Sequence, residues 1–430
     1  MNRLHIAVAV TAVVASVTGF RQISWHPPDD MLVIWVRGSP EQTAIYRQSL
    51  EDYMADHPEA HWRMEVIPSR AILQKFLTGI DAGHAPDVVN LHWNQTPQAA
   101  STGQLIALDS LLLRDDIDPT AFYPIGLQAY RYRDELFGMP IKGATVCGFF
   151  NRTLFDKYGV EYPSHDWTWA EMLSKAKRLT VDEDGDGMPD VYGLSPYDIS
   201  NYVWSGGGRF VRREDGRWVS NLDDPVTIEA VGFFVDLFWR HKVSPPRPGI
   251  RADAPMSTFT FEAGRIAIEL AGPWRIPDYQ FLDRFDWDTL LFPKGPAGRN
   301  TRYAGSALVI WKGTRRPEEA WRLVKHMTGP EATAKMASIG SDMPPLREVA
   351  LSAFANPETH WNEDVFIEAM EYDIRIYPAE LWWDDLYRKM LDELDAALTG
   401  RETVEEAMAD AHKVTEQYLH RLYADEEMGR

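Results

Sequence analysis

The sequence has a single cysteine, Cys147, among its 430 residues. One cysteine excludes an intramolecular disulfide framework and any metal site built from several thiolates. Cys147 also lies within the apolar run TVCGFF. We therefore expect a buried thiol without a chemical role.

Positive charge is scarce as well. Lys and Arg number 44 against 64 Asp and Glu, which gives a formal net charge of −20. Nucleic acids and anionic membrane surfaces are bound by basic protein surfaces, so neither is an expected partner. A neutral ligand, or a cation held by carboxylates, fits this composition better.

Familiar catalytic motifs are missing too. The sequence has no Gly-x-x-x-x-Gly-Lys-Ser/Thr loop, no His-Glu-x-x-His and no Gly-x-Ser-x-Gly. Asp384 and Asp385 are adjacent carboxylates, but neighbouring side chains on a helix do not face each other, which favours a charged surface over a glycosidase pair. These patterns therefore give no support for an enzyme.

Long apolar runs are confined to the N-terminus. Residues 4–20 are almost uncharged and of signal-peptide length, and a polar, proline-containing stretch follows up to residue 30. The run is borderline for crossing a bilayer, so both a cleaved signal peptide and an uncleaved anchor fit. We predict export to the periplasm or to the extracytoplasmic face of the cell membrane.

Aromatic residues, by contrast, are plentiful, with 16 Trp in the chain. Their flat apolar faces and single N–H suit stacking on sugar rings, although most Trp residues in proteins fill the core. From residue 31 the apolar segments MLVIWVRG, HWRMEVIP and PDVVNLHW alternate with amphipathic ones. This βαβαβ rhythm predicts a parallel sheet covered by helices on both faces.

Ligands of such sheets bind beyond the carboxyl ends of the strands. Trp35, Ser39, Trp93 and Asn94 lie at those ends and are predicted binding residues. Further along, WSGGGRF has three consecutive glycines, Gly206–Gly208, without the spacing of a dinucleotide loop. A turn that lets the backbone approach a ligand closely is the simpler interpretation.

The stretch VDEDGDGMPDVYG aligns with the first nine positions of an EF-hand loop. The expected oxygen ligands are Asp182, Asp184, Asp186, the carbonyl of Met188, and Asp190. Gly193 stands where the bidentate Glu of a complete loop would be, and no second loop pairs with this one. The pattern predicts a structural Ca²⁺ rather than a sensor, with a solvated acidic turn as the alternative. No organic cofactor is expected.

Six segments of the chain carry a resemblance to a known family. They are GHAPDVVNLHWNQTPQAASTGQLIALDSLL, ELFGMPIKGATVCGFFNRTLFDKYGVEYPSHDWTWAEMLSKAKRLT, DEDGDGMPDVYGL, FEAGRIAIELAGPWRI, YAGSALVIWKGTRRPEEAWRLVKHMTGPE and GRETVEEAMADAHKVTEQYL. In this order they resemble family 1 of the extracellular solute-binding proteins of sugar ABC transporters, the maltose-binding-protein-like group. The resemblance covers roughly residues 31–422.

The resemblance implies an α/β, two-lobe periplasmic-binding-protein fold of type II, with parallel-dominated sheets, flanking helices and a ligand cleft between the lobes. The pattern of strand-like and helix-like segments changes near residues 140 and 303. The implied division is residues 31–140 with 303–345 for the first lobe, and 141–302 with 346–430 for the second. Residues 1–30 form the signal peptide or anchor with its linker.

The resemblance also implies binding residues. Trp35, Trp93 and Asn94 would face the cleft from the first lobe, and Ser306 would lie on a returning strand. The second lobe would contribute Trp204, Gly206, Gly207, Trp274 and Arg275. Lys142 stands in the segment that crosses between lobes, where it would form a salt bridge or bind an anionic sugar.

The function implied is that of a monomeric receptor that binds a mono- or oligosaccharide and delivers it to the transmembrane permease subunits of an ABC importer. Two alternatives remain at this stage. One is a receptor for a non-sugar solute, such as a glycerophosphodiester, a polyamine or a peptide. The other is a secreted glycan-acting enzyme, which would need two carboxylates placed across the cleft.

Overall fold

The computed structural model describes residues 31–246, 259–354 and 359–427. The apolar run at residues 4–20 and the polar stretch up to residue 30 lie outside the described residues, and the signal-peptide or anchor role stays a prediction. Within the described ranges, no helix has both the length and the apolar character that a membrane crossing requires.

The first sheet has five strands drawn from distant parts of the chain. In spatial order they are His61–Val66, Met31–Val36, Val88–His92, Ala304–Ile310 and Gly138–Ala144. The first three pair in parallel, as the alternation of strands and helices predicts. The strand at 304–310 returns to the sheet late in the chain and pairs antiparallel with both neighbours, so the sheet is mixed rather than mainly parallel.

The second sheet has four strands and is mixed as well. Its spatial order is Trp287–Leu290, Gly148–Asn151, Ile266–Glu269 and Tyr192–Ser195, of which the last two pair in parallel. Shorter pairs are Arg131–Tyr132 with Glu135–Leu136, Val211–Glu214 with Arg217–Ser220, and Asn300–Arg302 with Asp373–Arg375. We refer to the parts of the molecule built around the two sheets as the first and the second lobe.

Helices fill most of the sequence between these strands. The α-helices are Pro40–Asp56, Ile72–Asp81, Gln95–Ser101, Asp109–Arg114, Pro124–Gln128, Arg152–Lys157, Trp169–Arg178, Ile199–Gly206, Pro225–Asp236, Ile276–Tyr279, Pro317–Thr328, Pro330–Ala337, Arg347–Val349, Asp364–Ala369, Trp383–Leu398 and Val404–Glu427. Short 3-10 turns lie at Pro119–Ala121 and Pro273–Arg275, and a π-helical turn at Ala350–Phe354.

The C-terminal helices belong with the second lobe. The helices at 383–398 and 404–427 pack on each other, and the last one also packs on the strand at 217–220 and the helix at 225–236. The exact lobe boundaries near residues 140 and 303 stay predictions. The first sheet nevertheless contains the strand at 304–310, so the chain crosses between the lobes more than once.

The strand Met31–Val36 shows how the sequence builds the first sheet. Its side chains alternate between the two faces of the sheet, so that Ile34 packs into one buried cluster and Trp35 into another. The strand is apolar on both faces because helices cover both. Cys147 is completely buried, as predicted, and burial raises the pKa of its thiol.

Candidate functional site

Five aromatic rings and one arginine gather where the two lobes meet, and we call this group the aromatic cluster. It consists of Trp93, Tyr197, Trp204, Trp274, Arg302 and Tyr377. Trp93 follows directly after a first-sheet strand, and its ring centroid lies 5.4 Å from that of Tyr377. Tyr377 lies 5.4 Å from Trp204, near the end of the helix Ile199–Gly206 in the second lobe. The cluster therefore joins residues of both lobes.

Arg302 holds the two sides of the cluster together. Its guanidinium carbon lies 5.9 Å from the Trp93 ring and 5.7 Å from the Tyr197 ring, and its Nη2 donates to the Tyr197 hydroxyl at 3.2 Å. The Asp198 carboxylate lies 3.6 Å away. Burial is the largest single influence and lowers the pKa of Arg302, but Asp198, Tyr197, Tyr377 and Tyr387 together raise it by more, so the net shift is upward. The site thus contains a permanent, largely dehydrated cation.

Trp274 extends the cluster, whereas its neighbour Arg275 does not. The Trp274 ring lies 5.5 Å from the Tyr197 ring and is partly exposed. Arg275 turns away into ion pairs with Glu262, with Asp278 at 2.9 Å and with Glu269 at 3.7 Å. Because these carboxylates occupy its guanidinium, Arg275 stabilises the second lobe locally and does not join the cluster.

The glycine run ends the helix that carries Trp204. Gly207 adopts a left-handed conformation, with φ of +97°, and serves as the C-cap. The Gly207 and Gly208 amides donate to the carbonyls of Trp204 and Val203, at 3.0 and 2.8 Å. The amides predicted to approach a ligand at these two positions are therefore used to close the helix. At Gly206, a Cβ atom would lie 2.7 Å from Ala230, so this glycine allows close packing between helices.

A cavity of about 640 Å³ adjoins the cluster in the second lobe. Trp204, Gly207, Tyr377 and Trp383 line one part of it. Tyr377 is anchored there, because its hydroxyl lies 2.5 Å from the Ser200 hydroxyl. The cavity has the size and the aromatic content of a small-molecule site.

Several predicted residues lie apart from the cluster. Trp35 is 5% exposed and packs in the first-lobe core, where the Lys75 ammonium lies 4.3 Å from its ring. Its side chain points to a sheet face that a helix covers, which leaves no room for stacking on a ligand. Ser39 caps the helix Pro40–Asp56, and its hydroxyl accepts from the Gln42 amide at 3.3 Å. Ser306 is fully buried and bonded to Asn90 at 3.2 Å.

Lys142 forms the salt bridge that was one of its two predicted roles. Its ammonium lies 3.0 Å from Asp342 Oδ2, and both side chains are buried. Asp342 also accepts from Gln42 Nε2 at 2.6 Å. Burial lowers the pKa of Lys142, and Asp342 only partly opposes this shift. The pair ties the strand at 138–144 to a distant part of the first lobe and lies away from the cluster.

Asn94 connects the lobes. Its side-chain amide donates to the Asp384 carboxylate at 3.2 Å, and Gln98 donates to the same carboxylate at 2.8 Å. Asn94 Oδ1 lies 2.7 Å from His92 Nδ1, and burial lowers the pKa of His92 well below its usual value. Asp384 is exposed, as the sequence interpretation predicted, and its carboxylate also bridges the first and second lobes.

The acidic loop brings together three of its four predicted carboxylates. Oxygens of Asp182, Asp184 and Asp190 lie within 4.8 Å of one another, while Asp186 is outside this group and accepts from the Met188 amide at 2.8 Å. Two oxygens on opposite sides of a Ca²⁺ ion lie at most about 5 Å apart, so the three carboxylates have a spacing that fits this ion. The loop is exposed, and Met188 is 60% exposed.

Sequence reasoning missed Arg302, Tyr377 and Asp384. Arg302 stands immediately before the predicted returning strand, at its amino end, so the rule that ligands bind beyond the carboxyl ends of strands gave no signal for it. The antiparallel direction of that strand brings Arg302 to the cleft. Tyr377 and Asp384 gave no signal either, because their partners Trp93 and Asn94 lie almost three hundred residues away in the sequence.

The chain is similar in sequence to known proteins. The sequence profile of the bacterial extracellular solute-binding proteins matches residues 38–334. The maltotriose-binding protein of Pyrococcus abyssi is 25% identical over 324 residues, which cover 74% of this chain and 67% of that protein.

Among solved structures, an ABC substrate-binding protein from Listeria monocytogenes in complex with cycloalternan has a TM-score of 0.77 at 22% identity. The alignment covers 93% of this chain and 99% of that one. The sugar-binding protein MalE from Xanthomonas citri also has a TM-score of 0.77 at 22% identity, over 92% and 99% of the two chains. These likenesses show the two-lobe fold of type II periplasmic binding proteins.

Proposed function

Because the chain belongs to the bacterial extracellular solute-binding proteins, which are exported, non-enzymatic transport components, we propose that it binds a carbohydrate between its lobes. The ligand is a mono- or oligosaccharide, and the protein hands it to the transmembrane permease subunits of an ABC importer. It acts as a monomer in the periplasm or at the extracytoplasmic face of the membrane, which it reaches by the N-terminal run at residues 4–20.

The observation that carries this proposal is the aromatic cluster. Trp93 comes from the first lobe, and Trp204, Trp274 and Tyr377 come from the second. A pyranose ring has an apolar face of C–H groups and a rim of hydroxyls, so it pairs with a flat ring below and polar groups around it. Trp204 and Trp274 are partly exposed and accessible to a ligand as the structure stands, whereas Trp93 is 3% exposed and contacts Tyr377, so a ligand reaches the Trp93 ring only when the lobes separate.

The polar groups at the cluster suit the hydroxyl rim. Arg302 offers N–H donors from a fixed guanidinium, and Asp198 beside it offers carboxylate acceptors. Hydrogen bonds to charged groups are stronger than those between neutral groups, and they strengthen further in a dehydrated site. A ligand at the aromatic cluster would thus be oriented by the Arg302 guanidinium as donor and by the Asp198 carboxylate as acceptor.

Domain closure couples binding to delivery. Asp384 in the second lobe accepts hydrogen bonds from Asn94 and Gln98 in the first. A ligand that touches both lobes stabilises the closed arrangement in proportion to its extra contacts there. The permease then distinguishes the loaded receptor by its closed shape.

Intrinsic tryptophan fluorescence and calorimetry against a ligand panel test the proposal. The panel holds mono- and oligosaccharides, a glycerophosphodiester, a polyamine and short peptides. Saturable quenching by a saccharide, lost in Trp204→Ala, is the expected result. Saturation by the non-sugar solutes alone contradicts carbohydrate binding, and turnover of an oligosaccharide contradicts a transport receptor.

We also propose that the acidic loop holds one structural Ca²⁺ ion. Asp182, Asp184 and Asp190 would be its carboxylate ligands, with the Met188 carbonyl as a further oxygen. The ion would relieve the mutual repulsion of the three carboxylates and so stabilise the second lobe.

Thermal melting with Ca²⁺ and with a chelator tests the calcium proposal. The chelator should lower the melting temperature of the wild type but not of Asp184→Asn. Glu183→Gln is the matched control, because the Glu183 carboxylate pairs with Lys157 at 2.6 Å instead of joining the three aspartates. If neither Ca²⁺ nor the chelator changes the melting temperature of the wild type, the proposal of a structural ion is contradicted.

A further inference from the structure

Among the residues that the structure describes, the cavity beside the aromatic cluster is lined by four arginines, Arg209, Arg212, Arg213 and Arg375, and by no Asp or Glu. This is unexpected in a chain with 64 acidic and 44 basic residues. Guanidinium groups close together repel one another, and a shared counter-ion removes the repulsion. The charged side chains that line the cavity are thus all positive, whereas the molecule as a whole is negative, and carboxylates outside the lining pair with two of the four.

Two of these arginines are held by carboxylates behind the cavity wall. Arg212 donates to the Ser220 carbonyl at 2.7 Å and lies 3.4 Å from Glu214. Arg213 lies 3.1 Å from Glu380, and its guanidinium carbon is 4.5 Å from the Trp218 ring. These contacts fix the two guanidiniums in place while leaving about half of each side chain exposed.

Arg209 is different. It follows the glycine run that ends the Trp204 helix, and its backbone is fixed by hydrogen bonds to Thr227, at 3.1 Å from its amide and 3.2 Å to its carbonyl. Its side chain is exposed. Among the described residues, its guanidinium has no hydrogen-bond or ion-pair partner. Arg209 is therefore well placed to bind an anion, because its backbone is anchored at the cavity wall and its guanidinium is available for a ligand.

The same cavity offers rings for a sugar. Trp204 and Tyr377 belong both to its lining and to the aromatic cluster, so stacking surface and guanidiniums lie side by side. A planar guanidinium matches the two oxygens of a carboxylate or of a phosphoryl group in a bidentate manner. Neutral hydroxyls gain less from such a wall, because they carry no charge to offset.

We propose that the preferred ligand is an anionic saccharide, whose oxyanion is bound by the arginine wall while its ring lies on the aromatic cluster. This inference rests on the proposed carbohydrate-binding function and narrows its substrate class. The oxyanion is a carboxylate, as in a uronate, or a phosphate, and Arg209 is the residue that selects for it. Lys142 has no part in this selection, because it is buried against Asp342.

Calorimetric titration with sets of sugars that differ in their charge tests the inference. Glucose, glucuronate and glucose 6-phosphate form one set, and galactose with galacturonate forms a second. At about 50 mM salt, the anionic members should bind at least about tenfold more tightly than the neutral ones, because hydrogen bonds to charged groups are the stronger ones. The difference should shrink at about 500 mM salt, since exposed charges are screened.

Variants separate the charge of the cavity from that of the surface. Arg209→Gln should lose most of the anion preference and keep its affinity for neutral saccharides. Arg217→Gln is the matched control, because it removes the same charge from the hairpin that follows Arg209, and Arg217 does not line the cavity. Comparison of glucuronate with the 6-phosphate identifies which oxyanion is preferred.

The outcomes distinguish this inference from the function on which it rests. Equal or tighter binding of neutral saccharides overturns the anionic class and leaves carbohydrate binding intact. An anion preference that survives Arg209→Gln, or that is lost equally in Arg217→Gln, overturns the assignment to the arginine wall. A folded protein that binds no saccharide of either kind contradicts the proposed function as well.

Discussion

Removal of the Asp384 carboxylate should weaken ligand binding, although Asp384 itself is not expected to contact the ligand. In the structure this carboxylate accepts from Asn94 at 3.2 Å and from Gln98 at 2.8 Å, across the boundary between the lobes. Opening the lobes breaks both hydrogen bonds, because the donors and the acceptor are carried by different lobes. Asp384→Ala therefore destabilises the closed arrangement and leaves each lobe intact.

The size of the effect follows from the exposure of these bonds. A hydrogen bond to a charged group contributes about 1.5–3 kcal/mol when it is shielded from water. Asp384 is exposed and water competes for its oxygens, so we expect about 1–2 kcal/mol for the two bonds together. This corresponds to a reduction of about 5- to 30-fold in the ratio of closed to open molecules, and the dissociation constant rises by up to the same factor.

Calorimetry with the tightest-binding saccharide measures this change, and Asp385→Ala is the matched control. Asp385 carries the same charge one position along the same helix, but it pairs with Arg388 and Lys389 of that helix. X-ray scattering from the unliganded variants should show a larger radius of gyration for Asp384→Ala only. Equal dissociation constants for Asp384→Ala and the wild type, or an equal loss in Asp385→Ala, would refute the reasoning.

Other substitutions and pH test further parts of the structure. Trp204→Ala should weaken saccharide binding by roughly 1–3 kcal/mol in calorimetry, and an unchanged affinity would remove this ring from the site. Trp35→Ala should instead lower the free energy of unfolding in urea by about 3–5 kcal/mol, with no change in affinity for the folded protein, because its ring is part of the core. Asp342→Ala should destabilise the protein by about 3–5 kcal/mol in the same assay, since it leaves Lys142 buried without its carboxylate, and a loss below about 1 kcal/mol would contradict the importance of this pair. Saccharide affinity should stay constant between about pH 6 and 8, because the lowered pKa of His92 keeps its ring neutral throughout this range, and a drop in affinity near pH 6.5 would show that His92 gains a proton.

The sequence predicts the fold well where neighbouring segments determine it. The alternation of strands and helices from residue 31 yields the parallel arrangement of the first three strands. Family motifs identify the two-lobe architecture and the returning strand. The antiparallel pairing of that strand could not be read from its apolar composition, because a strand buried on both faces has the same pattern in either direction.

The candidate site is predicted less completely. Trp93, Asn94, Trp204 and Trp274 lie at or beside the cleft, as a rule based on strand ends and loops suggests. The same rule selects Trp35, but strand alternation turns its side chain into the core.

Charge and pairing explain the remaining differences. Arg275 carries the right chemistry for a ligand, yet three carboxylates hold it, and they lie 13, 6 and 3 residues away in the sequence. Tyr377 and Asp384 reach the cleft only through tertiary packing of the C-terminal segment. Contacts of such long sequence separation leave no periodic signal in one sequence.

A crystal structure of the protein saturated with its tightest-binding saccharide tests the central claim most directly. We expect a sugar ring on Trp204 and Tyr377 of the second lobe, with Trp93 of the first lobe displaced from its 5.4 Å contact with Tyr377 to cover the other face of the sugar. The sugar hydroxyls should lie on Arg302 and Asp198. The link from Asp384 to Asn94 and Gln98 should be present in this complex. A saccharide bound outside the aromatic cluster, or held by one lobe alone with Asp384 unpaired, would contradict it.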